Sequence, residues 1–286
     1  KQLLHYRVPV LFIHGEIMTH RVFSRNAMSS RAVPINKMME QVSDNPAMPV
    51  QWGLNQSGMQ AGSLHDDIAL CNKVWQAAAQ SAANSAQQLQ DLGLHKQIVN
   101  RILEPFQVMK TIVTATEWDN FFKLRTHKDA QPEFQVLANL MKEQFDTNNT
   151  NELLEGEWHL PYVKYERSEN VQMFYDHTGH ISDEDAIKIS ASCCAQVSYR
   201  VNDGSITKAL MIYDKLVNSK PIHASPFEHQ AKSVDKSNQG FECSWGEVDW
   251  NGNDKGITHF DVEANYWSGN FKNWIQYRQL INGKNI

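Results

Sequence analysis

The stretch MTHRVFSRNAMSSR, Met18 to Arg31, decides how the chain is read. Beginning four residues beyond the apolar run VPVLFI (Val8 to Ile13), it places His20, Arg21, Arg25 and Arg31, three serines (Ser24, Ser29, Ser30) and Asn26 within fourteen residues. A guanidinium donates two parallel hydrogen bonds from a planar fork and stays charged, which suits phosphate and pyrimidine edges. Serine hydroxyls and backbone N–H groups beside Arg31 can serve the same anion. For an isolated stretch the plainer reading, a solvated face of Arg21, Arg25 and Arg31, is the stronger one, so the rest of the chain has to decide.

The chain has 286 residues, 41% apolar and 21% charged, enough for one good core or two small ones in an ordinary globular protein. VPVLFI is far shorter than the roughly 20 apolar residues of a membrane-spanning helix, and no signal pattern precedes it. The expectation is a soluble, non-secreted, cytoplasmic protein with no membrane partner; Lys1 is not an initiator methionine, which leaves the first strand open at its start. A net charge of -5 argues against nucleic acid as a partner while allowing a local basic cluster to hold a small anion. Cys71, Cys193, Cys194 and Cys243 form no CxxC pair, and His14 and His20 have the wrong spacing for a helical metal pair, so reduced cysteines and no metal are expected. GxSxG, GxGxxG and GxxxxGK[ST] are absent, which excludes the usual serine nucleophile, dinucleotide fingerprint and phosphate loop.

Residues 3–18 read as a buried strand and residues 32–63, rich in Pro, Gly, Asn and Met, as a long ordered loop. Ile68, Cys71, Val74, Trp75, Ala78, Ala82, Ala86 and Leu89 recur at helical steps between Asp66 and Leu92, and Gly93 stops them. Further helices are expected over His95–Leu103, Trp118–Arg125 and Gln131–Phe145, with an extended piece at Thr111–Thr116. Residues 146–181 lose periodicity and read as a connector. Ser182 and Ser205 are placed to cap two later helices, and 232–270 reads as a polar loop with a hairpin.

Four stretches are denser in functional groups than folding needs: THRVFSRNAMSSR (19–31), HKQIVNRILEP (95–105), TATEWDNFFKLR (114–125) and HASPFEH (223–229). Arg31, Arg101 and Arg125 stand out among them. The first stretch resembles the signature of the flavin-dependent thymidylate synthase family, an R-H-R followed by spaced Ser, Asn, Ser and Arg. His20, Arg21, Ser24, Asn26, Ser29 and Arg31 fit it, and Thr19 replaces the first arginine. NRILEP, and NFFKLR followed by AQPE, resemble the family's later helices. AQVSY (195–199) and HASPFEH resemble segments that precede the signature in the usual order, so the chain resembles a circularly permuted member, of a kind a nucleotide-modifying phage enzyme could be.

The resemblance implies a single α/β catalytic domain over 1–286, a central sheet with long helices. Residues 146–181 would join the permuted halves, and 232–270 would be an elaboration. It implies reductive methylation of dUMP to dTMP with methylenetetrahydrofolate as carbon donor, FAD as hydride carrier and NADPH as reductant, in a homotetramer with sites between subunits. Arg125 would contact the base and favour its ionisation. Arg31 and Arg101, with Ser29 and Ser30, would hold the phosphate, and Glu16 would lie near the nucleotide. Thr19, His20, Arg21, Asn26, Asn120, His223 and Ser225 would contact FAD, with Thr114 and Thr116 as lesser contacts. Ala27, Ala32, Glu16, Thr114 and Thr116 depart from the residues usual at those positions. Two other readings stay open: methyl or hydroxymethyl transfer to another pyrimidine deoxynucleotide such as dCMP, and a flavin- or nucleotide-binding homologue without turnover.

Overall fold

The computed structural model describes residues 2–9, 20–198, 203–234, 256–263 and 265–281. Three antiparallel strands, β1 (Gln2–Pro9), β2 (Ser24–Ala27) and β3 (Val108–Thr114), pair in the order β1-β3-β2. The strand expected over 3–18 is seen as β1; residues 10–19, with Glu16 and Thr19, lie outside the described residues. Successive side chains of β3 point to opposite faces, and both faces are covered. Val113 joins Phe23, Trp118, Phe121 and Phe134 on one side, while Ile112 packs on Cys194 and Val197 on the other.

Five helices follow in chain order over residues 35–147. α1 (Ile35–Asp44) falls inside the segment expected to be a loop, because Met38 and Val42, one helical turn apart, bury against Ala79, Ala83 and Ala86 of the next helix. That helix, α2 (Ile68–Asp91), begins where Asp67 accepts a hydrogen bond from the Leu70 N–H at 2.8 Å. Ile68 and Val74, expected on its buried face, are exposed instead, since the contact with α1 is made by the alanine row. The helix expected at His95–Leu103 is a short α3 (Lys96–Val99) that tightens into a 3-10 segment over Asn100–Phe106. α4 (Asp119–Arg125) and α5 (Pro132–Thr147) match their expected spans within two residues, with Pro132 in the first turn of α5.

The connector is structured. β4 (Trp158–His159) precedes a meander of β5 (Lys164–Ser168), β6 (Val171–Asp176) and β7 (Gly179–Ile181). Glu169 and Asn170 both take positive φ, 51° and 65°, the two-residue turn whose twist suits a hairpin. Phe174 is the one fully buried side chain of these three strands, so the alternation that reveals a strand in a sequence is weak. Ser182 and Ser205 cap α6 (Asp183–Ala195) and α7 (Ile206–Asn218) as expected. Of the polar segment, residues 235–255 and 264 lie outside the described residues. What is described there includes the expected antiparallel hairpin, with turns and irregular chain around its short strands. β9 (His259–Phe260), β10 (Tyr266–Ser268) and β11 (Phe271–Lys272) form one sheet. β8 (Ala231–Ser233) is flanked by β4 and by β12 (Trp274–Gln276), after which α8 (Tyr277–Leu280) follows.

The fold is therefore mixed α/β, but the expected central sheet is replaced, among the described residues, by four three-stranded antiparallel sheets. Most strands are only two to six residues long, too short to extend one continuous ladder, and two of the sheets are built wholly from strands adjacent in the chain. No helix among the described residues is long and apolar enough to cross a membrane. Cys193 and Cys194 are buried, and burial pushes the Cys193 thiol up to about 12; Cys71 is half-buried, and Cys243 lies outside the described residues.

Two histidines have ring nitrogens buried at the β4-β8 sheet, His159 of β4 and the fully buried His229. Burial pushes His229 down to about 3, with His159 nearby adding to the effect, and burial pushes His159 down to about 4. Both are neutral near pH 7. Two outcomes follow. Leu103, fully buried between α1 and α2, should lower unfolding free energy by about 2–5 kcal/mol in Leu103→Ala, measured by chemical denaturation. Because both folded values lie below the ordinary histidine value of 6.5, the unfolded chain binds protons that the folded chain refuses as pH falls from about 6.5 toward 4. The melting temperature should drop across that window, and drop less in His229→Gln.

Candidate functional site

β2 delivers the donor-rich stretch to a turn. Asn26 and Ala27 pair with Ile112 and Thr111 of β3, and the Met28 N–H reaches the Lys110 carbonyl at 2.8 Å. The chain then folds back, with the Ala32 N–H on the Ser29 carbonyl at 3.0 Å and the Arg31 N–H on Ser29 Oγ at 3.3 Å. Three carbonyls of this turn are fixed from the 95–106 region. Asn100 Nδ2 donates to Ser30 O at 2.6 Å and Val33 O at 3.0 Å, and Lys96 Nζ donates to Ala32 O at 3.1 Å. Asn100 is fully buried, so the turn is held by a rigid side chain rather than by solvent.

Ser30 Oγ donates to Glu104 Oε1 at 3.0 Å, and Arg101 Nη1 donates to the same oxygen at 2.7 Å. The structure thus brings Ser29, Ser30 and Arg31 together with Arg101, two motifs read separately in the sequence. Arg31 is exposed and Arg101 is 59% exposed, so both guanidinium groups are reachable from solvent. Asn100 and Glu104 were not singled out in the sequence; Glu104 lies inside NRILEP, where its position three residues after Arg101 was the available signal.

A second meeting point lies on Asn26. Its Nδ2 donates to the Cys194 carbonyl at 2.7 Å, and its Oδ1 accepts from Ser225 Oγ at 3.3 Å. The downstream segments, the end of α6 and the HASPFEH turn, thereby sit against the donor stretch. Behind them Gln276 Nε2 donates to Ser24 Oγ and to the Glu228 carbonyl, each at 2.9 Å, and to Asn270 Oδ1 at 3.1 Å. Gln276 is 1% exposed and belongs to the segment for which sequence reasoning had no counterpart. Arg278 also bonds Glu228.

His20 and Arg125 border one aromatic cluster. The His20 ring stacks on Phe23 at 5.1 Å and meets Phe121 edge-on at 5.3 Å, while the Arg125 guanidinium lies 5.2 Å from the centre of the Phe134 ring. Arg125 closes α4, where the helix dipole favours a cation. Arg21, Asn120, His223 and Ser225 are exposed. Thr114 and Thr116, at the far end of β3, are engaged within the chain: Thr114 Oγ1 bonds His229 Nδ1 at 2.9 Å, and Thr116 Oγ1 accepts from the Lys272 N–H at 2.9 Å. Among the described residues no group of three or more His, Cys, Asp or Glu side chains is arranged to hold a metal.

Against known proteins, the chain gave no match among curated sequences. It is similar in structure to the UMP/dUMP methylase PolB from Streptomyces cacaoi bound with 5-Br UMP, at 22% identity and a TM-score of 0.39, over 49% of this chain and 66% of that one. The same methylase bound with 5-Br dUMP gives 20% identity and a TM-score of 0.36, over 49% of this chain and 62% of that one. The chain thus spans less than two thirds of either structure. Residues 4–148, just over half of the chain and carrying both the Ser29–Arg31 turn and Arg101, match the family model described as thymidylate synthase complementing protein, and the chain belongs to that family.

Proposed function

We propose that the chain is a flavin-dependent enzyme that converts dUMP to dTMP. The observation that supports this most is the convergence of Ser30 and Arg101, from motifs some seventy residues apart, on one oxygen of Glu104 at a solvent-reachable turn. In balance, the C5 hydrogen of the base leaves as a proton, and the one-carbon unit of methylenetetrahydrofolate becomes bonded to C5. FAD, held by His20, Arg21, Asn26, Asn120, His223 and Ser225, would supply the hydride equivalent, renewed by NADPH, that takes that carbon to the methyl level as tetrahydrofolate departs.

In this reading Arg31 and Arg101, with Ser29 and Ser30, hold the phosphate, and Arg125 stabilises negative charge developing on the base. His20, Arg21, Asn26, Asn120, His223 and Ser225 hold the cofactor. Asn26 and Ser225 fit that task because their mutual hydrogen bond gives the two segments one fixed geometry. Thr114 and Thr116 act from behind, keeping the end of β3 in place. Glu16 and Thr19, outside the described residues, keep the nucleotide and cofactor assignments implied by their motif. The whole chain works as one catalytic domain, with 146–181 joining permuted halves and 232–270 an elaboration, in a tetramer whose sites form between subunits.

The test is spectroscopic. Protein reconstituted with FAD should show a bound-flavin spectrum that shifts on adding dUMP; no flavin retention would overturn the reading. Removing one charge-assisted phosphate partner, in Arg31→Ala or Arg101→Ala, should weaken dUMP binding by about 1.5–3 kcal/mol. Arg125→Ala should also depress turnover of bound nucleotide, and wild-type turnover there would remove its assignment. Glu104→Gln should tighten dUMP binding in a calorimetric titration, since the carboxylate competes with phosphate for Arg101.

A further inference from the structure

One face of α2 is used within the chain: Ala79, Ala83 and Ala86 pack in a single core with Met38 and Val42 of α1. On the side away from them Leu70, Val74, Ala77, Ser81, Asn84 and Gln88 recur at alternating steps of four and three residues, and all six are exposed. That alternation is the heptad spacing of a helix that packs along its length against another helix.

The outer face is also marked by what it lacks. A solvated helix face normally carries charged residues, yet Val74 to Gln90 contain no Asp, Glu, Lys, Arg or His in a chain whose charged fraction is 21%. Its hydroxyls are bonded inward, Ser81 Oγ donating to the Ala77 carbonyl at 2.9 Å and Ser85 Oγ to the Ser81 carbonyl at 3.0 Å. Covering this stretch therefore strands no charge and no hydroxyl.

The stripe is its own complement. About a two-fold axis between Ala77 and Ser81, two antiparallel copies of α2 set Ala77 against Ser81 of the second copy, Val74 against Asn84 and Leu70 against Gln88. The smallest side chains then fall at the crossing, where they let the axes approach to about 8 Å, and the helix dipoles oppose. With 24 residues α2 is about 36 Å long, and a strip of that length about 10–12 Å wide supplies roughly half of the ~800 Å² per partner of a standard interface. Apolar area for the rest lies beside it. Residues 53–64 fold back on themselves, the Leu54 N–H on the Ser63 carbonyl at 2.8 Å, and the preceding Trp52 ties them to α2 through its Nε1 on Asn72 Oδ1 at 2.9 Å. This segment exposes Leu54, Met59 and Leu64 and is likewise free of charge.

We infer that the outer face of α2 docks a second copy of this chain, antiparallel about a two-fold axis. This pairing is one contact of the assembly of copies proposed above, and it is independent of the flavin chemistry. Sedimentation velocity of the full chain over a range of concentrations tests it. The wild type should run as a dimer or a larger even multiple, and Ala77→Arg, at an exposed position, should halve the mass with an unchanged circular dichroism spectrum. Val74→Glu and Asn84→Lys should each raise the dissociation constant about tenfold or more. The two together should restore association, because each carboxylate then meets an ammonium of the other copy, whereas within one helix the pair lies about 15 Å apart. A monomeric wild type, an unchanged mass in Ala77→Arg, or a double variant no better associated than the single ones would overturn the inference. A monomer that retained FAD and dUMP would sink this pairing and leave the proposed reaction standing; an assembly that dissociates as expected but binds neither would do the reverse.

Discussion

The amide of Asn26 holds together segments that are far apart in the chain. It donates to the Cys194 carbonyl and accepts from the Ser225 hydroxyl, so β2, the end of α6 and the HASPFEH turn share one side chain. A side-chain amide has both donors and an acceptor carbonyl, which is why one residue serves two segments. Ser24, two residues earlier, is fully buried and bonded to Gln276 and Asn270. The short strand β2 is thus anchored on both sides before it reaches the turn that carries Ser29, Ser30 and Arg31.

That anchoring bears on the proposed anion site, because such a site needs donors whose geometry is set in advance. Asn100 and Lys96 fix the carbonyls of the turn, and Glu104 draws Ser30 and Arg101 to one oxygen in the absence of a competing anion. At the other end of the ladder polar groups are buried: His229 bonds Thr114, and Lys272 bonds Thr116. The family-matched half supplies the turn and the arginines, while the C-terminal strands close over the end of β3.

What the sequence made legible follows burial. α2, α4 and α5, and the serine caps of α6 and α7, were readable because apolar periodicity and capping chemistry are local. α1 was hidden in a run whose Pro and Asn content signals a loop, although Met38 and Val42 carry its packing. The β5-β6-β7 meander was hidden because so few of its side chains are fully buried, leaving little alternation to read. At the site, the residue types of Ser30, Arg31 and Arg101 were visible, but not that Glu104 joins them. The engagement of Thr114 by His229 and of Ser24 by Gln276 is set by tertiary contacts across 115 and 252 residues.

The proposed activity is reductive one-carbon transfer to a uracil deoxynucleotide. Incubation of FAD-loaded protein with dUMP, methylenetetrahydrofolate and NADPH under anaerobic conditions, with products identified by mass spectrometry, tests it most directly. The expected product is a deoxynucleotide heavier than dUMP by one CH2 and identical to dTMP. Recovery of unchanged dUMP from protein that has bound both flavin and nucleotide would contradict it.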